Sequence, residues 1–181
     1  MPMQDSLVEA PAARTKKPQQ NHKPLSRKAV TAPQALNEAP HYGSAFSRAL
    51  RLDIKGVTIL LISGTASVDD EGRSVHVGDF GAQLWRTYQN ITALLEAEGD
   101  TWKDIVRTTC YLRDIERDYA EFNQIRTEFF RQQELNPLPA STGIQAILCR
   151  PDLLIEIEAI AIWESDRGKG SNNGDRMPGA A

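Results

Sequence analysis

The stretch Leu153–Trp163 reads LLIEIEAIAIW, the most apolar run of the 181-residue chain, yet it carries two carboxylates two residues apart. Successive side chains on a strand point to opposite faces, so Glu156 and Glu158 share one face with Leu154, Ile160 and Ile162. An unpaired carboxylate buried among such neighbours costs on the order of several kcal/mol, which a folded chain does not do idly. The chemistry open to such a pair is proton transfer and activation of water. Upstream, Pro139-Ala140-Ser141-Thr142-Gly143 offers a hydroxyl, but the three histidines, His22, His41 and His76, lie in a tail or a loop and give Ser141 no base, so a serine nucleophile is not expected. Cys110 and Cys149 read as reduced core thiols, and no Cys/His cluster has metal-ligand spacing.

An acid pair of this kind needs a sheet to hold it. SAFSRALRLD and VTILLISG, separated by Lys55-Gly56, read as two strands joined by a tight turn, followed by a loop or short hairpin around Asp69-Asp70-Glu71-Gly72. Phe80, Leu84, Tyr88, Ile91 and Leu95 recur at helical spacing, with Asp79 as the N-cap and Gly99 as the stop. IVRTTCYLRD reads as a strand with Val106, Thr108, Cys110 and Leu112 on one face. Asp118-Tyr119-Ala120-Glu121 resembles a capping box that opens a second helix, striped by Tyr119, Phe122, Ile125 and Phe129 as core. ASTGIQAIL and LLIEIEAIAIW close the order β-β-α-β-α-β-β, an α+β layout with two helices on one face of a mixed sheet.

The ends carry no such pattern. Residues 1–43 are Pro-rich and basic, with KKPQQNHKP at their centre, and 166–181 are Gly-rich. Both are expected to be disordered, leaving a domain over 44–165. The tails hold net charges of +3 and +1 of a total of −3, which leaves −7 for the domain. So acidic a domain argues against binding nucleic acid, and the basic tail reads as a solvated linker. The N-terminus lacks the apolar core of a secretory signal, and no run approaches the roughly 18 apolar residues of a membrane span, so a cytoplasmic protein with no membrane partner is expected.

ISGTASVDDEG after the second strand, GAQLWRTYQNITALLEAEG on the first helix, DIVRTTCYLRD and AEFNQIR around the second, and PLPASTGIQAILCRPDLLIEIEAIAI at the close together resemble the Rid family, also called YjgF/YER057c/UK114. The resemblance covers nearly all of 44–165. It implies the chorismate mutase-like YjgF fold, a homotrimer whose sheets surround a barrel-like centre, and small-molecule pockets between subunits. It also implies hydrolysis of reactive enamines and imines such as 2-aminoacrylate and 2-iminobutanoate, with no metal or organic cofactor. By this resemblance Glu156 is the catalytic pocket glutamate. Ser141, Thr142, Gly143, Ser63 and Phe46 stand at substrate-binding positions. For Ser63 the alternative is a strand-end hydroxyl satisfying backbone, and for Glu158 a structural acid held by its neighbours.

The sequence departs from the family at the site. Deaminating members carry Pro-Ala-Arg, whereas Ser141 follows Pro139-Ala140 here; Gly143 replaces a frequent cysteine, and Phe46 replaces a tyrosine. A serine offers one donor and no charge in place of a bidentate fork. Arg48, Arg107 and Arg150 are candidate substitutes, Arg150 being the nearest in sequence to the closing strands, with a surface turn before Pro151 as its alternative role. Without an adjacent cation, burial and Glu158 together are expected to raise the pKa of Glu156 and make it a general acid. Three readings follow: an enamine or imine hydrolase with a shifted substrate, a chorismatase-like enol-ether hydrolase, or a non-catalytic ligand-binding trimer. A ribonuclease is disfavoured by the charge and the missing histidine.

Overall fold

The computed structural model describes residues 25–38 and 43–165. Its strands are β1 (Ser26–Val30), β2 (Ala49–Ile54), β3 (Val57–Ala66), β4 (Ile105–Leu112), β5 (Ala140–Gln145) and β6 (Ile155–Glu164); the helices are α1 (Phe80–Glu96) and α2 (Ile115–Gln132). They form one mixed sheet in the order β1-β2-β3-β6-β4-β5, in which only the β4–β5 pair is parallel. The helices cover one face, as the α+β reading expects, and this is the YjgF, chorismate mutase-like fold.

The alternation of β6 is legible residue by residue. Ile155, Ile157, Ala159, Ala161 and Trp163 are buried in the core with Leu84, Tyr88, Ile91 and Phe122 of the helices. Glu156, Glu158, Ile160 and Ile162 therefore share the helix-free face, where Glu158 is exposed and Glu156 half-buried. The acids of this apolar run thus never enter the hydrophobic core.

α1 begins where expected: the Asp79 side chain accepts from the Ala82 amide at 2.8 Å, and Gly99 takes a positive φ just past the end. Two fully buried polar side chains then fix this helix against the site-bearing strands. Gln83 donates to the Asp152 carbonyl and accepts from the Leu154 amide, both at 2.8 Å, while Asn90 donates to the carbonyls of Ala66 and Val68 at 2.9 Å each. The chain leaving β3 and the chain entering β6 are held to one helix.

Three expectations are corrected. Residues assigned to the N-terminal tail form β1, which pairs with β2, and Val30, Ala32 and Leu36 are no more than 1% exposed. Only the last residue of β1 is buried, so the strand shows no alternation to read. Residues 1–24 and 166–181 lie outside the described residues. α2 starts at Ile115 with Asp114 as its cap, accepting from the Arg117 amide at 3.1 Å; Asp118 sits inside the first turn, ion-paired to Arg117 at 2.6 Å. The helix runs one turn further upstream than the capping-box pattern suggested, and Tyr119 is exposed rather than core. In β4 a bulge against β6 between Ile105 and Arg107 turns Val106 outward and puts Ile105 in the core, so the inward set is Ile105, Thr108, Cys110 and Leu112. Among the described residues no helix is long and apolar enough to cross a membrane.

Candidate active site

Where β3 leaves the sheet beside the start of β6, pairing slips: Ile62 faces Ala159 and Thr65 faces Ile157, so Ser63 and Gly64 stand together against Glu158. This bulge bends β3 next to the acid pair, a position bulges often occupy near active sites. Gly64 is required there by space. A Cβ on it would lie 1.9 Å from Glu156 Oε1, so the bare backbone is what allows the carboxylate to lie over the strand.

The bend opens a cleft of about 520 Å³ that brings Glu156 together with Phe46, Arg48, Ser63, Cys149 and Arg150. Glu156 is pushed above the usual carboxylate range, first by burial and then by the Glu158 charge, with Arg48 pulling the other way. The direction agrees with the expectation; the premise of no adjacent cation does not, because Arg48 is that cation. It is 5% exposed, lies over the Phe46 ring at 5.4 Å, and donates from Nε to the Asn37 carbonyl at 2.8 Å and from Nη2 to Asn37 Oδ1 at 2.9 Å. The aromatic residue without a hydroxyl therefore steadies a guanidinium.

Arg150 enters from the other wall, its Nη1 donating to the Gly72 carbonyl at 2.7 Å. Ser63 Oγ donates to the Ser47 carbonyl at 2.7 Å, which leaves its lone pairs for a ligand. Cys149 Sγ lies 4.0 Å from Glu156 Oε2. Glu158 points beside Tyr111, whose phenol is pushed up by burial and by the Glu158 charge.

Ser141, Thr142 and Gly143 lie elsewhere in the chain, on β5. Ser141 and Gly143 line a second cleft, of about 570 Å³, between β5 and α2. Thr142 turns away and accepts from Arg107 Nη2 at 3.3 Å, which also places Arg107 outside the Glu156 cleft. Within one chain the two groups of site residues are thus separate. Sequence reasoning missed Cys149, Gly64 and Asn37 as members or supports of the first cleft. Cys149, expected in the core, is instead an exposed thiol in a loop, which corrects that expectation; Gly64 depends on a bulge and Asn37 acts through Arg48, and neither carries a local signal.

Comparison with known proteins agrees with the fold. The Endoribonuclease L-PSP family profile matches residues 37–163. A RutC family protein of Pyrococcus horikoshii is 34% identical over 111 residues, covering 61% of this chain and 84% of that protein. The 3-aminoacrylate deaminase RutC of Acinetobacter baylyi is 35% identical over 107 residues, covering 59% and 81% respectively. The crystal structure of the YjgF gene product of E. coli superposes with a TM-score of 0.61 at 27% identity, covering 75% of this chain and 98% of that one.

Proposed function

Because the chain belongs to the Endoribonuclease L-PSP family, which includes the YjgF and RutC proteins, we propose that it is a hydrolase of small imines or enamines whose pocket is completed between the subunits of a homotrimer. The observation that carries this reading is Glu156, half-buried, its carboxyl held above the usual range, in a cleft that also holds Arg48 and Arg150. The named substrate of the Acinetobacter relative is itself an enamine with a carboxylate. Nothing in the cleft asks for a polyanion, and a net charge of −7 over 44–165 works against RNA.

In the proposed reaction, protonated Glu156 delivers its proton to the enamine carbon, or to the nitrogen of an imine, and makes an iminium. Water adds to the iminium carbon and gives up a proton to the Glu156 carboxylate, which is thereby reset. Collapse of the carbinolamine breaks the C–N bond, and the hydroxyl proton passes to the departing nitrogen. One imine and one water become one keto acid and one ammonia. Ser63 Oγ supplies an acceptor for the attacking water, and the two guanidiniums favour an anionic substrate. Ser141 and Phe46 in place of a guanidinium and a phenol shift the substrate from that of arginine-bearing relatives.

The test is a panel in one assay: ammonia release from 2-iminobutanoate and 2-iminopropanoate generated in situ, with pyruvate release from chorismate alongside. Ammonia from the imines is the expected result. Pyruvate from chorismate without ammonia from any imine would replace the reading with enol-ether hydrolysis, and saturable binding without turnover of either would make the trimer a ligand-binding module.

A further inference from the structure

Arg126 reaches from the middle of α2 to the edge of the sheet. Its guanidinium lies 4.8 Å from the centre of the Phe122 ring, donates to Asn123 Oδ1, and donates from Nη1 to Ser141 Oγ at 3.2 Å. Ser141 Oγ is fixed in turn by Thr108 Oγ1 at 2.9 Å. Every one of these partners is neutral. Among the described residues no carboxylate pairs with Arg126, whereas Arg117 and Arg131 on the same helix have Asp118 at 2.6 Å and Glu128 at 2.8 Å. A guanidinium has five donors, and the neutral contacts use only part of them. A half-buried cation oriented by neutral groups is arranged to meet an anion in bidentate fashion.

Arg126 lines the β5/α2 cleft together with Arg131, whose guanidinium is already paired to Glu128. The apolar part of the lining is Phe130, Leu135, Leu138 and Pro139, with the Tyr119 ring. Gly143 adds no side chain: a Cβ there would meet nothing nearer than the Tyr119 ring, at 3.6 Å. All of β5 is exposed and hydrogen-bonded on one side only, by β4, so the cleft stands open at a free sheet edge.

We propose that Arg126 is the residue that grips the substrate carboxylate, supplying from α2 the guanidinium that β5 lacks at Ser141. This deepens the reading of an imine hydrolase with an interfacial pocket and rests on it. The β5/α2 cleft of one subunit binds the carboxylate, and the Glu156 cleft of its neighbour acts on the nitrogen-bearing carbon. Ser141 is the counterpart that makes this possible. Its small side chain leaves the space the Arg126 guanidinium occupies, so the two positions act as one unit.

The probe is 2-oxobutanoate, the stable keto acid released from 2-iminobutanoate, with 2-butanone as the analogue that lacks the carboxylate; binding to the full-length protein is read by NMR titration. Arg126→Gln is expected to weaken 2-oxobutanoate about 10- to 100-fold, the range of one lost hydrogen bond to a charged group, and to leave 2-butanone unchanged. Arg126→Lys should fall between the two. Ser141→Arg alone crowds two guanidiniums and weakens binding, whereas Ser141→Arg with Arg126→Gln restores it, an outcome that a merely structural Arg126 would not produce. Equal binding of 2-oxobutanoate by wild type and Arg126→Gln, or no preference of wild type for it over 2-butanone, overturns the proposal. Loss of binding in Arg126→Gln together with no turnover in wild type would remove the hydrolase reading and leave the carboxylate site standing. Glu156→Gln should do the reverse, losing turnover while keeping 2-oxobutanoate.

Discussion

Glu156 owes its place over β3 to one absent side chain. Gly64 Cα lies under the carboxylate, and a methyl there would stand 1.9 Å from Oε1. The atom it strikes is the end of a flexible side chain, so Gly64→Ala should displace the carboxylate rather than unfold the sheet. The expected result is a fall in kcat/KM of about 10- to 100-fold with little change in Tm, read by steady-state assay beside thermal denaturation. The raised pKa also makes a stability prediction. Between the ordinary carboxylate pKa and its own, folded Glu156 holds a proton that the unfolded chain has released, so its contribution is full at low pH and is lost as pH rises through the folded value. Glu156→Gln removes that dependence, so the Tm of the variant should gain on wild type with increasing pH. At this scale the sequence pointed to Glu156, Ser63 and Phe46 through resemblance and to Arg150 through its nearness to the closing strands, and all four line one cleft. It named Arg48 among three candidate cations without singling it out as the neighbour of Glu156, because that approach depends on the slip in β3 and on Asn37 holding the guanidinium from a loop.

The elements were legible where the period was long and illegible where tertiary contacts overrode it. α1 shows its cap, its stripe and its stop in sequence because each is a local device. The start of α2 is not local: Asp114 and Asp118 both fit the cap pattern, and the choice is made by the Arg117 pairing and by Gln145 Oε1, which accepts from the Ile115 amide at 3.1 Å across the fold. Asp114→Ala should therefore cost about 1 kcal/mol in urea denaturation, as a lost N-cap does. β1 and the turn after it were hidden by Arg27 and Lys28, which face solvent, while Val30 and Leu36 dock into the core. Leu36→Ala should cost about 2–5 kcal/mol. By loosening the neighbouring Asn37, which holds Arg48, it should also lower activity at temperatures where the fold persists, a coupling visible by comparing kcat/KM with Tm across a short temperature series.

At the scale of the molecule, the helix-free face of the sheet carries both the acids and an apolar stripe. Leu61 pairs with Ile160 and Ile59 with Ile162, and Leu61 and Ile162 are 38% and 39% exposed. Exposed aliphatic side chains in a row on a sheet mark a surface that association covers. In the proposed trimer this face lines the centre, so Leu61→Lys should lower the mass seen by light scattering from three times 20.1 kDa toward a single chain. In the proposed trimer the pocket is completed between subunits, so ammonia release should fall with it. The family and the fold could both be read from the sequence. The arrangement of the two clefts could not, since Ser141 and Glu156 lie on different strands and line separate clefts of the chain. Glu156 as the proton donor is tested by the pH–rate profile of ammonia release from 2-iminobutanoate by wild type and Glu156→Gln. A proton donor at this position gives a wild-type rate that falls as pH rises through the raised Glu156 pKa, and a variant at least about 100-fold slower without that limb. A variant as fast as wild type, with the same profile, would contradict it.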